Sequence, residues 1–329
     1  MTPPDAWSVV AALRRTFGPE WTVDTNGLQL SIEHRLSTSP FRPRRSPLDW
    51  HELLNRLHAA FDAQGFEQAA PLPLRWGKET DFTISAIQAF DPYVKQAQPF
   101  TYRDGYLPQP VVRLSAKRDV AGRLLPGRLT SFVNVSLVRR IASLDEYAAT
   151  VGIWLSAISA IGLHARHIRT YGSLQIWHRR EVSGITLRFD HAALPIGDLV
   201  LIWNTNDPAF MVADLGSGLE TLKRACTRAE WTRMVFGNLA DYASSDTLDA
   251  IRTVTLMIGS GIRPTARGPG SAVRRLIRGI PASEMPLGTS TAVRAAYEFW
   301  TLTAPMQAPW HEITRLLDER GRRTRSITS

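Results

Sequence analysis

The chain has 329 residues, with 44% hydrophobic side chains and 39 basic against 30 acidic groups. This hydrophobic content excludes a wholly disordered chain, and the single cysteine, Cys226, excludes an intrachain disulfide and a cysteine-based zinc cluster. The beginning of the sequence has no basic segment followed by an apolar run, and the most apolar stretch, Val151 to Leu163, is too short to span a bilayer. We therefore expect a cytoplasmic protein with no membrane partner and no bound metal.

The net charge of +9 is supplied mostly by arginine, which favours a polyanionic partner, although a high-GC genome that prefers arginine codons would give the same composition. Residues 1–46 are interpreted as an N-terminal extension. It is predicted to hold a helix from Trp7 to Phe17 and a strand from Gly27 to Ile32. The proline-rich stretch 40–47 then breaks regular structure and is predicted to be a linker or basic arm.

Residues 47–240 are predicted to form an α+β domain. Leucines 53, 54 and 57 recur at helical spacing, and Gly65 ends that helix. Strand-like runs then dominate as far as residue 215, interrupted by one helix from Leu144 to Ile161. The strand-like runs are Val111–Leu114, Ser131–Val138, Ile185–Phe189 and Leu199–Trp203. Mostly antiparallel strands with few helices are typical of this class.

Residues 241–329 are predicted to be entirely helical. One helix carries apolar positions from Leu248 to Ile258, and a second carries them from Ala272 to Ile280. The stretch 263–278 holds five arginines and no acid, which predicts a surface for phosphates. A solvated amphipathic helix is the alternative. These arginines are Arg263, Arg267, Arg274, Arg275 and Arg278. The basic tail, Arg320 to Arg325, is interpreted as a solvated end.

A glycine-rich stretch, Ala-Asp-Leu-Gly-Ser-Gly-Leu-Glu, runs from Ala213 to Glu220. It resembles the motif of alanyl-tRNA synthetases that reads roughly Val-Asp-Thr-Gly-Met-Gly-Leu-Glu-Arg at a strand-to-helix junction. Ile202-Trp203-Asn204 is similar to that family's Ile-Trp-Asn segment. Further segments of the family follow in the same order along the chain: residues 82–90, 110–113, 176–177, 189–191 and 250–278 are each similar to one of them.

The resemblance implies a class II synthetase-like antiparallel sheet flanked by helices, followed by helices that bind a tRNA acceptor stem. It places Asp214, Asn204, Trp177 and Gly216 in the aminoacyl pocket. It also implies that a nucleotide or the terminal adenosine of a tRNA contacts four residues, namely Arg113, Phe132, Gly218 and Glu220. Arg113, Asp214 and Asn204 are the candidate catalytic residues. Class II domains often pair through their first motif, so a homodimer is one expected arrangement.

The chain departs from the family where ATP would bind. Thr221 stands where the family has an arginine that stacks on adenine, and Val133 stands where it has a glutamate. The editing domain of the family also does not fit into 329 residues. We therefore expect a truncated relative that still uses tRNA.

Three functions are compatible with these features. The first is transfer of an aminoacyl group from a charged tRNA to a small-molecule amine, as in antibiotic assembly, with no cofactor. The second is ATP- and Mg-dependent activation through an aminoacyl-adenylate. The third is non-catalytic tRNA binding.

Overall fold

The computed structural model describes residues 2–38, 40–43, 48–99, 105–116, 118–286 and 288–328, with side chains as far as residue 319. The chain divides into two compact units, each assembled from separate stretches of sequence. The first unit contains Met1–Ala70, Ala86–Leu107 and Asn134–Arg228, and the second contains Pro71–Ser85, Pro108–Val133 and Ala229–Ser329. This division differs from the sequence boundaries at residues 46 and 240.

An antiparallel sheet forms the body of the first unit. Its described strands are β1 (Trp21–Asn26), β2 (Gln29–His34), β3 (Gly105–Val112), β4 (Ser131–Ile141), β5 (Ile168–Ser173), β6 (Trp177–Arg179), β7 (Val182–His191), β8 (Leu194–Asn204) and β9 (Met211–Gly218). Their order is β1-β2-β5-β7-β8-β9-β4-β3, and β6 pairs with β7 beside this path. β3 begins in the first unit and ends in the second, and β4 begins in the second unit and ends in the first. The α+β class is thus confirmed.

Three of the five helices described in the first unit begin at a capping side chain that the sequence supplies. The five helices are α1 (Ala6–Thr16), α2 (Trp50–Asp62), α3 (Asp91–Gln96), α4 (Leu144–Ala160) and α5 (Leu219–Thr227), and a 3₁₀ turn (Ala86–Phe90) precedes α3. Asp5, Asp49 and Ser143 accept hydrogen bonds from the first-turn amides of α1, α2 and α4. α4 packs against α1, α2 and β9.

The helical part of the second unit surrounds one central helix. Its helices are α6 (Trp231–Phe236), α7 (Ser245–Gly259), α8 (Pro269–Arg278), α9 (Ser290–Trp300) and α10 (Trp310–Thr328). α7 contacts α8, α9 and α10 and is buried around most of its circumference, as expected of a central helix. Its Asp249 accepts a hydrogen bond from the Thr130 amide at 2.9 Å, and burial raises the pKa of this carboxyl group to about 6.

Most of the predicted helices lie close to their expected positions, but the start of the chain differs. The expected strand at Gly27–Ile32 is β2, which begins two residues later, and the sequence interpretation missed β1. β2 pairs with β5, so this hairpin is part of the sheet and not a separate extension. Of the proline-rich stretch, residues 44–47 lie outside the described residues. No helix in the described ranges is long and apolar enough to cross a bilayer.

The first unit contains a buried histidine, His191, that should make its stability sensitive to acid. The side chain is fully buried, the Phe41 ring lies 4.5 Å away, and Arg228 donates a hydrogen bond to the His191 carbonyl at 2.7 Å. Burial, followed by the charges of Arg228 and His167, lowers the pKa of His191 to about 3.

Because His191 stays neutral in the folded state, the unfolded state binds more protons between about pH 3 and pH 6.5, and stability falls as the pH drops through this window. The slope should approach about 1.4 kcal/mol per pH unit. Urea unfolding at pH 7 and pH 5 should show a smaller difference for His191→Gln than for the wild type. The exposed-site control His51→Gln should behave like the wild type, and an unchanged difference in His191→Gln would refute this assignment.

Candidate functional site

The glycine-rich stretch forms the junction between β9 and α5, with Gly218 as the N-cap of the helix. Asp214 lies opposite Val200 of β8 and Val138 of β4. Directly opposed residues of antiparallel strands point to the same face of a sheet. Asp214, Gly216 and Gly218 therefore share one face and are half-buried, whereas the residues between them are buried against the other face.

Trp177 lies on the same face as Asp214. It pairs with Gly184, and its indole Nε1 donates a hydrogen bond to Thr186 Oγ1 at 2.9 Å. A Cβ at Gly184 would lie 2.4 Å from the indole ring, so this close packing requires glycine. Thr186 opposes Val200, which opposes Asp214. Trp177 and Asp214 thus border one stretch of the sheet, with Thr186 and Asp214 separated by two strand spacings, roughly 10 Å.

Asn204 is the last residue of β8, and its buried side chain is fully hydrogen-bonded within the protein. Its Nδ2 donates hydrogen bonds to the carbonyls of Val94 and Lys95, at 2.9 and 3.2 Å. Its Oδ1 accepts from the amides of Asn206 and Asp207, at 2.9 and 3.0 Å. The four bonds use the full capacity of an amide side chain. The structure therefore favours a supporting role in which Asn204 holds α3 and the β8–β9 turn, and its predicted catalytic role remains a prediction.

The residues predicted to contact a nucleotide fall into two groups. Gly218 and the buried Glu220 lie at the start of α5 in the first unit. Arg113 and Phe132 belong to the second unit, where they contact each other, with the guanidinium 4.9 Å from the centre of the Phe132 ring. Arg113 Nε also donates a hydrogen bond to the Ile84 carbonyl at 2.8 Å, which fixes the base of the guanidinium. This exposed cation can contact an anionic group.

The excess positive charge belongs almost entirely to the second unit. By sequence, that unit has 20 basic and 12 acidic residues, whereas the first unit has 19 and 18. On α8, Arg275 and Arg278 are exposed and Arg274 is half-buried, and Arg267 is exposed in the preceding loop. Within the described part of the chain, none of these four makes an ion pair, whereas Arg263 pairs with Glu312 at 2.5 Å. The helix therefore presents uncompensated guanidinium groups, as phosphate binding requires.

Two glycines build the loop that leads into α8. Gly268 has a φ of 62°, which favours glycine, and the Gly270 carbonyl accepts a hydrogen bond from the Thr265 amide at 3.2 Å. A Cβ at Gly270 would lie 2.2 Å from the Arg263 carbonyl oxygen and 2.3 Å from Thr265 Oγ1. The backbone of residues 263–265 can therefore pack against the N-terminus of α8 only because position 270 has no side chain.

Gly270→Ala should destabilise the second unit by about 2 kcal/mol, because backbone atoms must move to relieve the contact. Urea unfolding measures the loss. Gly279→Ala, at the end of the same helix, is the matched control. Its Cβ would lie no closer than 3.4 Å to its neighbours and its φ is −77°, so it should be neutral or slightly stabilising. Equal effects of the two substitutions would contradict the close packing at Gly270.

Three residues on the face that carries Asp214 were not among the predicted site residues. Thr186 orients Trp177, and Asn134 and Ser136 of β4 oppose Gly218 and Gly216. Asn134 follows Val133, which stands in place of the family's glutamate, and the resemblance gave it only the chance of covering that glutamate's hydrogen bonds. The signal for Thr186 and Ser136 is only alternation along a strand, which does not tell which face carries a site. No group of three or more His, Cys, Asp or Glu side chains in the described ranges is arranged to hold a metal ion.

The chain matches no protein-family model, and comparison with the curated proteins finds no match either.

Proposed function

We propose that this protein binds the acceptor stem of a charged tRNA through its second unit and transfers the aminoacyl group to a small-molecule amine. The observation that carries the proposal is the α8 surface, where Arg274, Arg275 and Arg278 lie on a short amphipathic helix with no ion pair among the described residues. A phosphate backbone complements such a surface. The choice of tRNA among polyanions rests on the resemblance to alanyl-tRNA synthetases.

The face of the sheet around Asp214 supports the aminoacyl half of the proposal. The carboxylate of Asp214 would hold the α-ammonium of the aminoacyl group, and the Trp177 indole would form one wall of the pocket. An aminoacyl ester is already activated, so the reaction needs no ATP. Catalysis then consists mainly of holding the ester and the amine in contact. Thr221, which cannot stack on adenine as an arginine does, agrees with a reaction without ATP.

The test is incubation of the protein with a pool of charged tRNAs and the small-molecule fraction of a cell extract, with and without ATP. Mass spectrometry should detect loss of the ester and a new amide in both samples. Binding of tRNA without any turnover would instead support the non-catalytic alternative.

ATP-dependent activation is favoured by one observation, the exposed Arg113 held against Phe132. Such a cation could bind the α-phosphate of ATP. Amino-acid-dependent exchange of pyrophosphate into ATP tests this second function, and robust exchange would overturn the ATP-free reaction.

A further inference from the structure

Ser136 and Asn134 of β4 and Gly216 of β9 form a polar position beside Asp214, which we call the recess. Ser136 opposes Gly216 and Asn134 opposes Gly218, so all four residues share the face that carries Asp214. Ser136 is fully buried, and its hydroxyl has no hydrogen-bond partner among the described residues. Burying a hydroxyl without a partner costs about 1–3 kcal/mol, so such a group calls for an explanation. A polar atom of a bound substrate would be the missing partner.

Because Gly216 has no side chain, the atoms nearest to the position of its missing Cβ are polar groups of β4. A Cβ built on Gly216 would lie 3.2 Å from Asn134 Nδ2 and 3.6 Å from Ser136 Oγ, and the next atom, the Val135 carbonyl oxygen, is 3.9 Å away. The Ala86 amide donates to Asn134 Oδ1 at 3.4 Å, which directs Nδ2 towards Gly216. The Asn134 amide nitrogen and the Ser136 hydroxyl therefore flank the half-buried Gly216 on the face that carries Asp214.

We propose that Ser136 Oγ and Asn134 Nδ2 bind the carbonyl oxygen of the aminoacyl ester and stabilise the negative charge that develops on it. This inference rests on the proposed function. Asp214 and Gly216 point to the same face and are two residues apart, roughly 7 Å along the strand. An aminoacyl group carries its ammonium and its carbonyl on adjacent carbons, so Asp214 can hold the first while the recess holds the second.

The recess fits the chemistry of aminolysis. The nitrogen of the acceptor amine forms a bond to the ester carbon, and the carbonyl oxygen becomes an oxyanion. Donors already directed at that oxygen stabilise it without reorganisation. Collapse of the intermediate breaks the ester C–O bond, and the proton lost by the amine ends on the departing ribose oxygen. The products are an amide and an uncharged tRNA, with no further reactant needed.

Ser136→Ala tests the role of the hydroxyl, and the chain offers a matched control in Ser217→Ala. Ser217 lies on β9 next to Gly216, is almost fully buried, and also has a hydroxyl with no partner among the described residues. It opposes Val135 and so points to the other face of the sheet. The two substitutions remove the same group from the same sheet, and only one removes it from the recess.

The readout is the rate of ester loss from the charged tRNA pool in the presence of the extract's small-molecule fraction, measured in single turnovers with enzyme in excess. Ser136→Ala should lower the maximal single-turnover rate on the order of 100-fold. The enzyme concentration that gives half of the maximal rate should change little, because binding of the tRNA is not affected. Ser217→Ala should retain the wild-type rate. Neither should lower the thermal midpoint, because each removes a hydroxyl without a partner.

Asn134→Asp provides a second variant that keeps the acceptor for the Ala86 amide but replaces the donor with a negative charge. It should slow transfer at least as much as Ser136→Ala. If Ser136→Ala and Asn134→Asp both transferred at the wild-type rate, binding of the ester carbonyl by these residues would be refuted, whereas the proposed function would still hold. Absence of transfer by the wild-type protein would overturn both proposals.

Discussion

Replacing Arg275 and Arg278 together with glutamine should weaken tRNA binding by about 100-fold near physiological salt, because each lost phosphate contact costs roughly tenfold. Both side chains are exposed on α8, and neither makes an ion pair within the described part of the chain. The slope of log affinity against log salt concentration should fall by about 1.5, since each contact contributes roughly 0.7 to 0.9. Fluorescence anisotropy with a labelled acceptor-stem hairpin, titrated at several salt concentrations, measures both quantities.

The matched control is Arg294→Gln with Arg315→Gln. These arginines are also exposed on helices of the second unit, but Glu298 and Glu319 neutralise them at 2.9 and 2.8 Å. The control removes the same formal charge while leaving the α8 surface intact, so its effect on binding should stay within a few fold. If both double variants weakened binding equally, general charge and not the α8 surface would be responsible.

The sequence predicted α8 well because the signals of a short amphipathic helix are local. Apolar residues recur at helical spacing, and glycine and proline mark both ends within a few residues. β1 was missed for the opposite reason. It is an edge strand of alternately exposed and half-buried residues, so it lacks the buried row that makes alternation visible in a sequence.

The candidate site was only partly predictable because its geometry depends on pairing between distant strands. The resemblance singled out Asp214 and Trp177, and registers across β7, β8 and β9 bring them to one face. The register of β4 against β9 brings Ser136 beside Gly216, although 80 positions of sequence separate the two. The role of Asn204 depends on the carbonyls of Val94 and Lys95, in a helix that the sequence did not predict.

Discontinuous units explain the different domain boundaries. Gln109 donates to the Leu72 carbonyl and accepts from the Leu72 amide, and Asp249 accepts from the Thr130 amide. These hydrogen bonds join stretches 37 to 119 positions apart into the second unit. Two of the crossings between the units lie inside β3 and β4, after Leu107 and after Val133, where the sequence has no linker composition to mark a boundary.

Asp214→Asn should lower the rate of aminoacyl transfer by about 100-fold or more while leaving affinity for the acceptor stem unchanged. The substitution keeps the size of the side chain and removes the charge that pairs with the α-ammonium, and charge-assisted hydrogen bonds are roughly twice as strong as neutral ones. Single-turnover ester loss with the charged tRNA pool gives the rate, and anisotropy with the acceptor-stem hairpin gives the affinity.

Asp190→Asn is the control for this substitution. Asp190 lies on β7, where its carboxylate accepts a hydrogen bond from the Tyr171 hydroxyl at 3.2 Å, a bond that asparagine can also accept. Transfer by this variant should match the wild type. The thermal midpoint of both variants is measured as well. An unchanged midpoint in Asp214→Asn shows that its loss of rate comes from the missing carboxylate and not from unfolding.

The two sets of variants should fail in opposite ways. The α8 double variant should lose affinity but keep its maximal rate at saturating tRNA, whereas Asp214→Asn should keep affinity and lose the rate. This opposition follows from the placement of the arginines and the carboxylate in different compact units. A protein that only binds tRNA would show the first loss without the second. If Asp214→Asn transferred as fast as the wild type, the α-ammonium would be bound by another residue, and the proposed aminoacyl site around Asp214 would be wrong.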